Sequence, residues 1–137
     1  MNQQITLKNE LTEVETLHNF VDEVCAQLHF DDMETSMINL ALEEVVVNVI
    51  NYAYPSGEEG EITIVASSDE TDLAFDIIDS GAPFDPTAVA DADITLDVDD
   101  RPIGGLGIYL ARNIMTTMTY HRTPHHNILT LTKSLPQ

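Results

Sequence analysis

The run Leu42-Glu43-Glu44-Val45-Val46-Val47-Asn48-Val49-Ile50-Asn51-Tyr52-Ala53-Tyr54 constrains this chain more than any other feature. It is mostly apolar, with β-branched residues at Val45, Val46, Val47, Val49 and Ile50, yet Glu44, Asn48 and Asn51 interrupt it. On a helix, residues three and four apart share a face. The spacing therefore predicts a largely buried helix with one narrow polar stripe. A carboxylate taken out of water is costly unless it is paired or coordinated. A carboxylate and an amide carbonyl stacked in this way suit a hard cation or an attacking hydroxyl. The same spacing also fits a solvated helix face, and Glu43 competes with Glu44 as the exposed carboxylate.

Charge narrows the ligands that such a stripe can serve. The 137 residues hold 5 Lys and Arg against 24 Asp and Glu, a formal net charge of -19. A surface of that sign repels nucleic-acid backbones and anionic membranes, so neither is expected as a direct partner. Between Lys8 and Arg101 there is no Lys or Arg. A polyphosphate bound there must meet a divalent metal, backbone amides, or both. The length predicts a single domain, 1–137, with one real core. Cys25, the sole cysteine, falls on an apolar helix face and reads as a buried small hydrophobe. The start Met-Asn-Gln-Gln-Ile-Thr lacks a basic region followed by an apolar stretch, and no apolar run reaches membrane-spanning length. A cytoplasmic protein is the expectation.

Patterning supplies the element order. A short strand is expected at Ile5 to Leu7. Apolar residues at 11, 14, 17, 21, 24, 25 and 28 predict a helix from Leu11 to Leu28, capped by Asn9 or Thr12. A second helix runs from about Met33 to Ala53 and stops before Pro55-Ser56-Gly57. Glu61 to Ser67 and Leu73 to Asp79 read as a hairpin around the polar turn Asp69-Glu70-Thr71-Asp72. Ser80 to Arg101 is irregular and acidic, the length of a lid. A third helix opens at Gly104 and runs to about Met118. Thr119 to His121 and Ile128 to Lys133 are closing strands. The order β-α-α-β-β-loop-α-β-β predicts an α+β, two-layer α/β sandwich, with helices on one face of a mixed sheet.

Two further motifs stand beside the stripe. In Asp79-Ser80-Gly81-Ala82-Pro83-Phe84-Asp85-Pro86, the aspartate ends a strand and accepts hydrogen bonds only when ionised. Adenine offers an exocyclic amino donor, and Gly81 lets a flat ring approach the backbone. A plain Asx turn reads as well. In Arg101-Pro102-Ile103-Gly104-Gly105-Leu106-Gly107-Ile108, glycines precede a helix whose free amides suit phosphate. A turn without a ligand fits equally. It is neither a dinucleotide fingerprint nor a Gly-Lys-Ser/Thr phosphate loop, and the eukaryotic-type kinase loop and strand lysine are absent. His121, His125 and His126 read as a polar turn rather than a zinc site.

Singly these signals are weak; their order is specific. Glu-x-x-x-Asn on a helix, Asp-x-Gly at a strand end, an irregular lid and Gly-x-Gly opening a helix resemble the GHKL ATPase superfamily, the Bergerat fold, over nearly the whole chain. The branch most similar is the bacterial anti-sigma factor serine-protein kinases. The resemblance implies ATP bound with Mg²⁺. Asn48 would ligate the metal, Asp79 would accept from the adenine amino group and Gly81 would line the base. Gly104, Gly105 and Gly107 would shape the lid hinge and phosphate turn, and Asn51, Phe84 and Leu106 would complete the nucleotide site. Glu44 would be the general base that deprotonates a serine of the protein substrate. Arg101, the lone cation near the lid, is the candidate for neutralising γ-phosphate charge. The implied function is an anti-sigma regulatory kinase acting on a STAS-type anti-sigma factor antagonist, with sigma-factor binding and a homodimer as further implications. The alternative is a non-catalytic, ATP-dependent protein-binding module. The chain departs from the common superfamily pattern at Pro83, where glycine is frequent, and at Tyr52, where this branch commonly has histidine.

Overall fold

The computed structural model describes residues 1–54, 58–88 and 105–136. Most of the expected lid, with Arg101 and Gly104, lies outside the described residues. The elements run β1 (Asn2–Lys8), α1 (Val14–Gln27), α2 (Asp32–Tyr52), β2 (Glu61–Ser68), β3 (Asp72–Asp79), α3 (Gly105–Ile114), β4 (Thr117–Arg122) and β5 (Asn127–Ser134). Short 3₁₀ turns lie at Leu11–Glu13 and Pro86–Ala88. This is the order the patterning predicts.

The five strands form one sheet in the order β1-β2-β3-β5-β4. Residues on β2, β3 and β5 alternate between buried and partly exposed, so the helices cover one face. The two-layer α/β sandwich is thus observed. The sheet is not mixed, however: every pairing is antiparallel. The crossover through α3 delivers β4 in the same direction as β3, which would make a parallel pair if the two were neighbours. β5 turns back from β4 and inserts between them, pairing antiparallel with both.

α2 is the centre of the helical layer and packs on both α1 and α3. That explains a helix so rich in β-branched residues. Their unfavourable helix propensity, a few tenths of a kcal/mol each, is outweighed by about 1.5–3 kcal/mol for each apolar side chain fully buried. Ile38, Leu42, Val45 and Val46 of α2 join Leu17, Val21 and Val24 of α1, Phe75 and Ile77 of β3 and Ile108 of α3 in one core. Asp31 caps α2, its side chain accepting from Glu34 N at 2.7 Å. Cys25 is buried, as its position on the apolar face predicts, and burial pushes its thiol up to about 11.

Several element ends differ from expectation: β1 starts at Asn2 rather than Ile5, and α1 at Val14 rather than Leu11. α3 ends at Ile114 rather than near Met118, because Thr116 N already donates to Thr132 O (2.8 Å) in the sheet. Lys133 Nζ then donates to the terminal carbonyl of Ile114 (2.7 Å). Asn9 does not cap α1. Its side chain joins β1 to the approach of β2, accepting from Gly60 N (2.9 Å) and donating to Glu58 O (2.7 Å). Neither that helix nor the 3₁₀ turn before it has a side-chain cap.

Candidate nucleotide and phosphotransfer site

Three pieces of chain meet on α2. The first is α2 itself, where Glu44 is half-buried and Asn48, one turn on, is 6% exposed. The Asn48 amide is held by its nitrogen, which donates to the Glu44 carbonyl at 2.8 Å. Its Oδ1 accepts no hydrogen bond among the described residues. Asn51 follows on the same face and is exposed. Burial first, and then the like charge of Glu43, push the Glu44 carboxyl above its ordinary value of 4.5. Glu43 itself turns toward α1 and lies 3.4 Å from His18 Nε2.

The second piece is the first turn of α3. Gly107 lies against the Glu44 carboxylate so closely that a Cβ there would overlap Glu44 Oε2 and stand 3.5 Å from Asn48 Nδ2. The sequence predicts a phosphate-turn role for this glycine. The structure places it inside the helix, where its lack of a side chain makes room for the carboxylate. Gly105 is the first residue of α3, and Leu106 beside it is 39% exposed.

The third piece is the turn after β3. Asp79 closes that strand on the helix-covered face and is only 3% exposed. Its Oδ1 accepts from Gly81 N (2.9 Å) and from Asn127 Nδ2 (2.9 Å), while Oδ2 has no such partner among the described residues. Burial raises its pKa, opposed by those two donors and by the Arg122 charge. The turn is bonded directly to the end of α2. Ala82 N donates to Ala53 O (2.8 Å), and a Cβ at Gly81 would strike that same carbonyl. Tyr54 reinforces the junction: its hydroxyl donates to Glu61 O (2.6 Å) and accepts from Ser80 N (3.1 Å). Phe84, half-buried, lies beside the Tyr52 ring with centroids 5.7 Å apart.

Glu44 and Asn48 lie on α2, Gly107 and Gly81 press on it or its end, and Asp79 is tied to it through the hydrogen bond from Gly81 N. Asn127, not singled out in the sequence, is the hub of the turn after β3. It donates to Asp79 and to Ala82 O (2.8 Å), and its Oδ1 accepts from Phe84 N (3.2 Å) and from the Tyr120 hydroxyl (2.5 Å). Arg122 also donates to Gly81 O (3.0 Å). The register that puts Asn127 opposite Asp79 is the signal that finds it, and that register belongs to the sheet rather than to either strand alone.

The donors fit the groups that the resemblance implies. Asn48 presents a free carbonyl oxygen from a nitrogen-anchored amide, which suits a hard cation such as Mg²⁺. Asp79 presents a free carboxylate oxygen, which suits an amino donor. Among the described residues no group of three His, Cys, Asp or Glu side chains is placed to hold a metal. A metal at Asn48 would therefore take further ligands from elsewhere, as metals bound to nucleotide phosphates do. No helix among the described residues is long and apolar enough to cross a membrane.

Residues 7–133 match the model of the histidine kinase-like ATPase domain. Serine/threonine-protein kinase BtrW of Bordetella bronchiseptica is 30% identical over 95 residues, 69% of this chain and 67% of that protein. Serine-protein kinase RsbW of Bacillus mycoides is 34% identical over 90 residues, 63% of this chain and 54% of that protein. The matched region thus spans about two thirds of the first relative and about half of the second. In three dimensions the chain is similar over its whole length to the crystal structure of the RsbU and RsbW domains of Rv1364c from Mycobacterium tuberculosis. The TM-score is 0.70 at 18% identity, covering 33% of that chain, which bears on the fold alone.

Proposed function

The chain belongs to the histidine kinase-like ATPase domain family, and from that membership we propose that it is an ATP-dependent serine kinase of the anti-sigma factor type. Its substrate on this reading is a STAS-type anti-sigma factor antagonist, with a sigma factor as a second binding partner and a homodimer as the working unit. The observation that carries the reading is the placement of two side chains along one face of α2. Asn48 is anchored by its nitrogen with its oxygen free, and Glu44, one turn away, is a half-buried carboxylate with a raised pKa.

When bound, Mg²⁺ offsets charge on the β- and γ-phosphates. The chain does the rest. Asn48 Oδ1 would hold the metal. Asp79 Oδ2 accepts from the adenine amino group, while Gly81 allows the ring to approach the turn. Glu44 accepts the proton of the serine hydroxyl as that oxygen attacks the γ-phosphorus and the bond to the β-phosphate oxygen breaks. A raised pKa suits a base that must take and later release a proton near neutral pH.

The test is to incubate the protein and its Glu44→Gln variant with Mg-ATP and the STAS-domain protein encoded nearest to it. Phosphoserine on the STAS protein with wild type and not with the variant is expected. Equal phosphorylation by both removes Glu44 from the mechanism. Nucleotide binding with no transfer to the bound STAS protein replaces the kinase with a nucleotide-gated binding module.

A further inference from the structure

We propose that the exposed stripe Met33–Met37–Leu40 on α2 is the docking surface for the protein substrate, which meets it with an apolar face rimmed by Lys and Arg. The proposal rests on the kinase reading above and specifies how that substrate is seated. Met33 is 75% exposed, Met37 46% and Leu40 38%. Single exposed apolar residues are ordinary on a surface. These three recur at intervals of four and three, so they form one line on the helix. The next position on that line is Glu44. Leu40 precedes it by one turn, about 6 Å along the axis, and Met33 by about 16 Å. On the other side of Glu44, Leu106 of α3 is 39% exposed and adjoins Gly107, which touches the carboxylate. Exposed apolar side chains therefore lead along α2 up to Glu44, and another adjoins its contact on α3, a surface suited to hold a protein while one hydroxyl is presented. Methionine adapts its shape to a partner at little cost.

Charge identifies the occupant. Asp32 and Glu34 adjoin Met33 in sequence, and the partly exposed Glu43, paired with His18, lines the same surface groove as Leu40. α1 and α2 contain no Lys or Arg. An apolar stripe with an acidic border is complementary to an apolar patch with a basic border. A second copy docked through the same stripe brings its own acidic border, Asp32, Glu34 and Glu43, against this one and is the poorer occupant of this face.

The test uses the double variant Met33→Ser/Met37→Ser, which changes two exposed side chains and leaves the core intact. The probe is again the STAS-domain protein encoded nearest to the chain. Its KM in the transfer reaction is expected to rise about tenfold or more, as for two truncated interface anchors. Its calorimetric affinity in the presence of MgADP is expected to fall by the same factor, with binding by wild type weakened by salt. Over the same comparison kcat is expected to stay within about threefold, as uniform binding loss requires. Unchanged KM and affinity overturn the docking surface, as does a loss confined to kcat. If sedimentation shows a wild-type dimer and a monomeric variant, the stripe is a self-interface and the proposal falls. If wild type binds the STAS protein without transferring phosphate, the kinase reading fails while the affinity arm still decides the docking surface. If wild type neither binds nor phosphorylates it, both fall.

Discussion

The Oε2 atom of Glu44 lies in the space that a side chain on Gly107 would fill. Two motifs whose contacting residues stand 63 positions apart in sequence are thereby joined in one contact, between the middle of α2 and the first turn of α3. The carboxylate is positioned by the helix it presses on as well as by the helix that carries it.

Gly107→Ala follows from that contact. The overlapping atom is the end of a flexible side chain, so Glu44 moves and the helices stay. Alanine also favours the helix by roughly 1 kcal/mol. Thermal unfolding is expected to show a Tm at or slightly above wild type, while single-turnover transfer falls by about tenfold or more from misplacement of the base.

The rate should depend on pH through Glu44. A general base works ionised, so transfer rises with pH through the Glu44 pKa and levels off above it. Burial and Glu43 raise that pKa, which puts the acid limb above 4.5. Glu43→Gln removes the lesser cause and is expected to move the limb of kcat to lower pH without returning it to 4.5. A limb that shifts upward or stays fixed contradicts the assignment.

Asp79→Asn separates binding from stability. The amide oxygen can still accept from Gly81 N and Asn127 Nδ2, but the free acceptor becomes a donor facing the adenine amino group. ATP affinity is expected to fall about tenfold to hundredfold, the cost of losing a hydrogen bond to a charged acceptor. Folding responds in the opposite sense. The Asp79 pKa is raised in the fold, so ionisation costs stability as pH climbs from the ordinary 3.8 through the raised value. The variant does not titrate. Its Tm relative to wild type is therefore expected to rise across that window and then hold constant.

Much of this was legible in sequence because the decisive patterns are local. The polar stripe of α2, the Asp79-Ser80-Gly81 strand end and the glycines before α3 each read from adjacent residues. What is not local was missed. Asn127 acts only because β5 pairs with β3 in the register that sets it opposite Asp79. The contact of Gly107 with Glu44 exists only once α3 is packed on α2. The antiparallel sheet depends on β5 entering between β3 and β4, an outcome of long-range pairing. The end of α3 falls earlier than the pattern predicts because Met118 continues the spacing of Leu106, Leu110 and Ile114, while hydrogen bonding to Thr132 takes the backbone into the sheet.

The most direct test of the division of labour on α2 is to measure MgATP affinity and single-turnover serine phosphorylation side by side for Glu44→Gln and Asn48→Ala. Glu44→Gln is expected to bind MgATP within about threefold of wild type and to lose about a hundredfold or more in transfer, the scale of a general base. Asn48→Ala is expected to lose both. Transfer by Glu44→Gln at the wild-type rate, or full MgATP affinity in Asn48→Ala, contradicts the account.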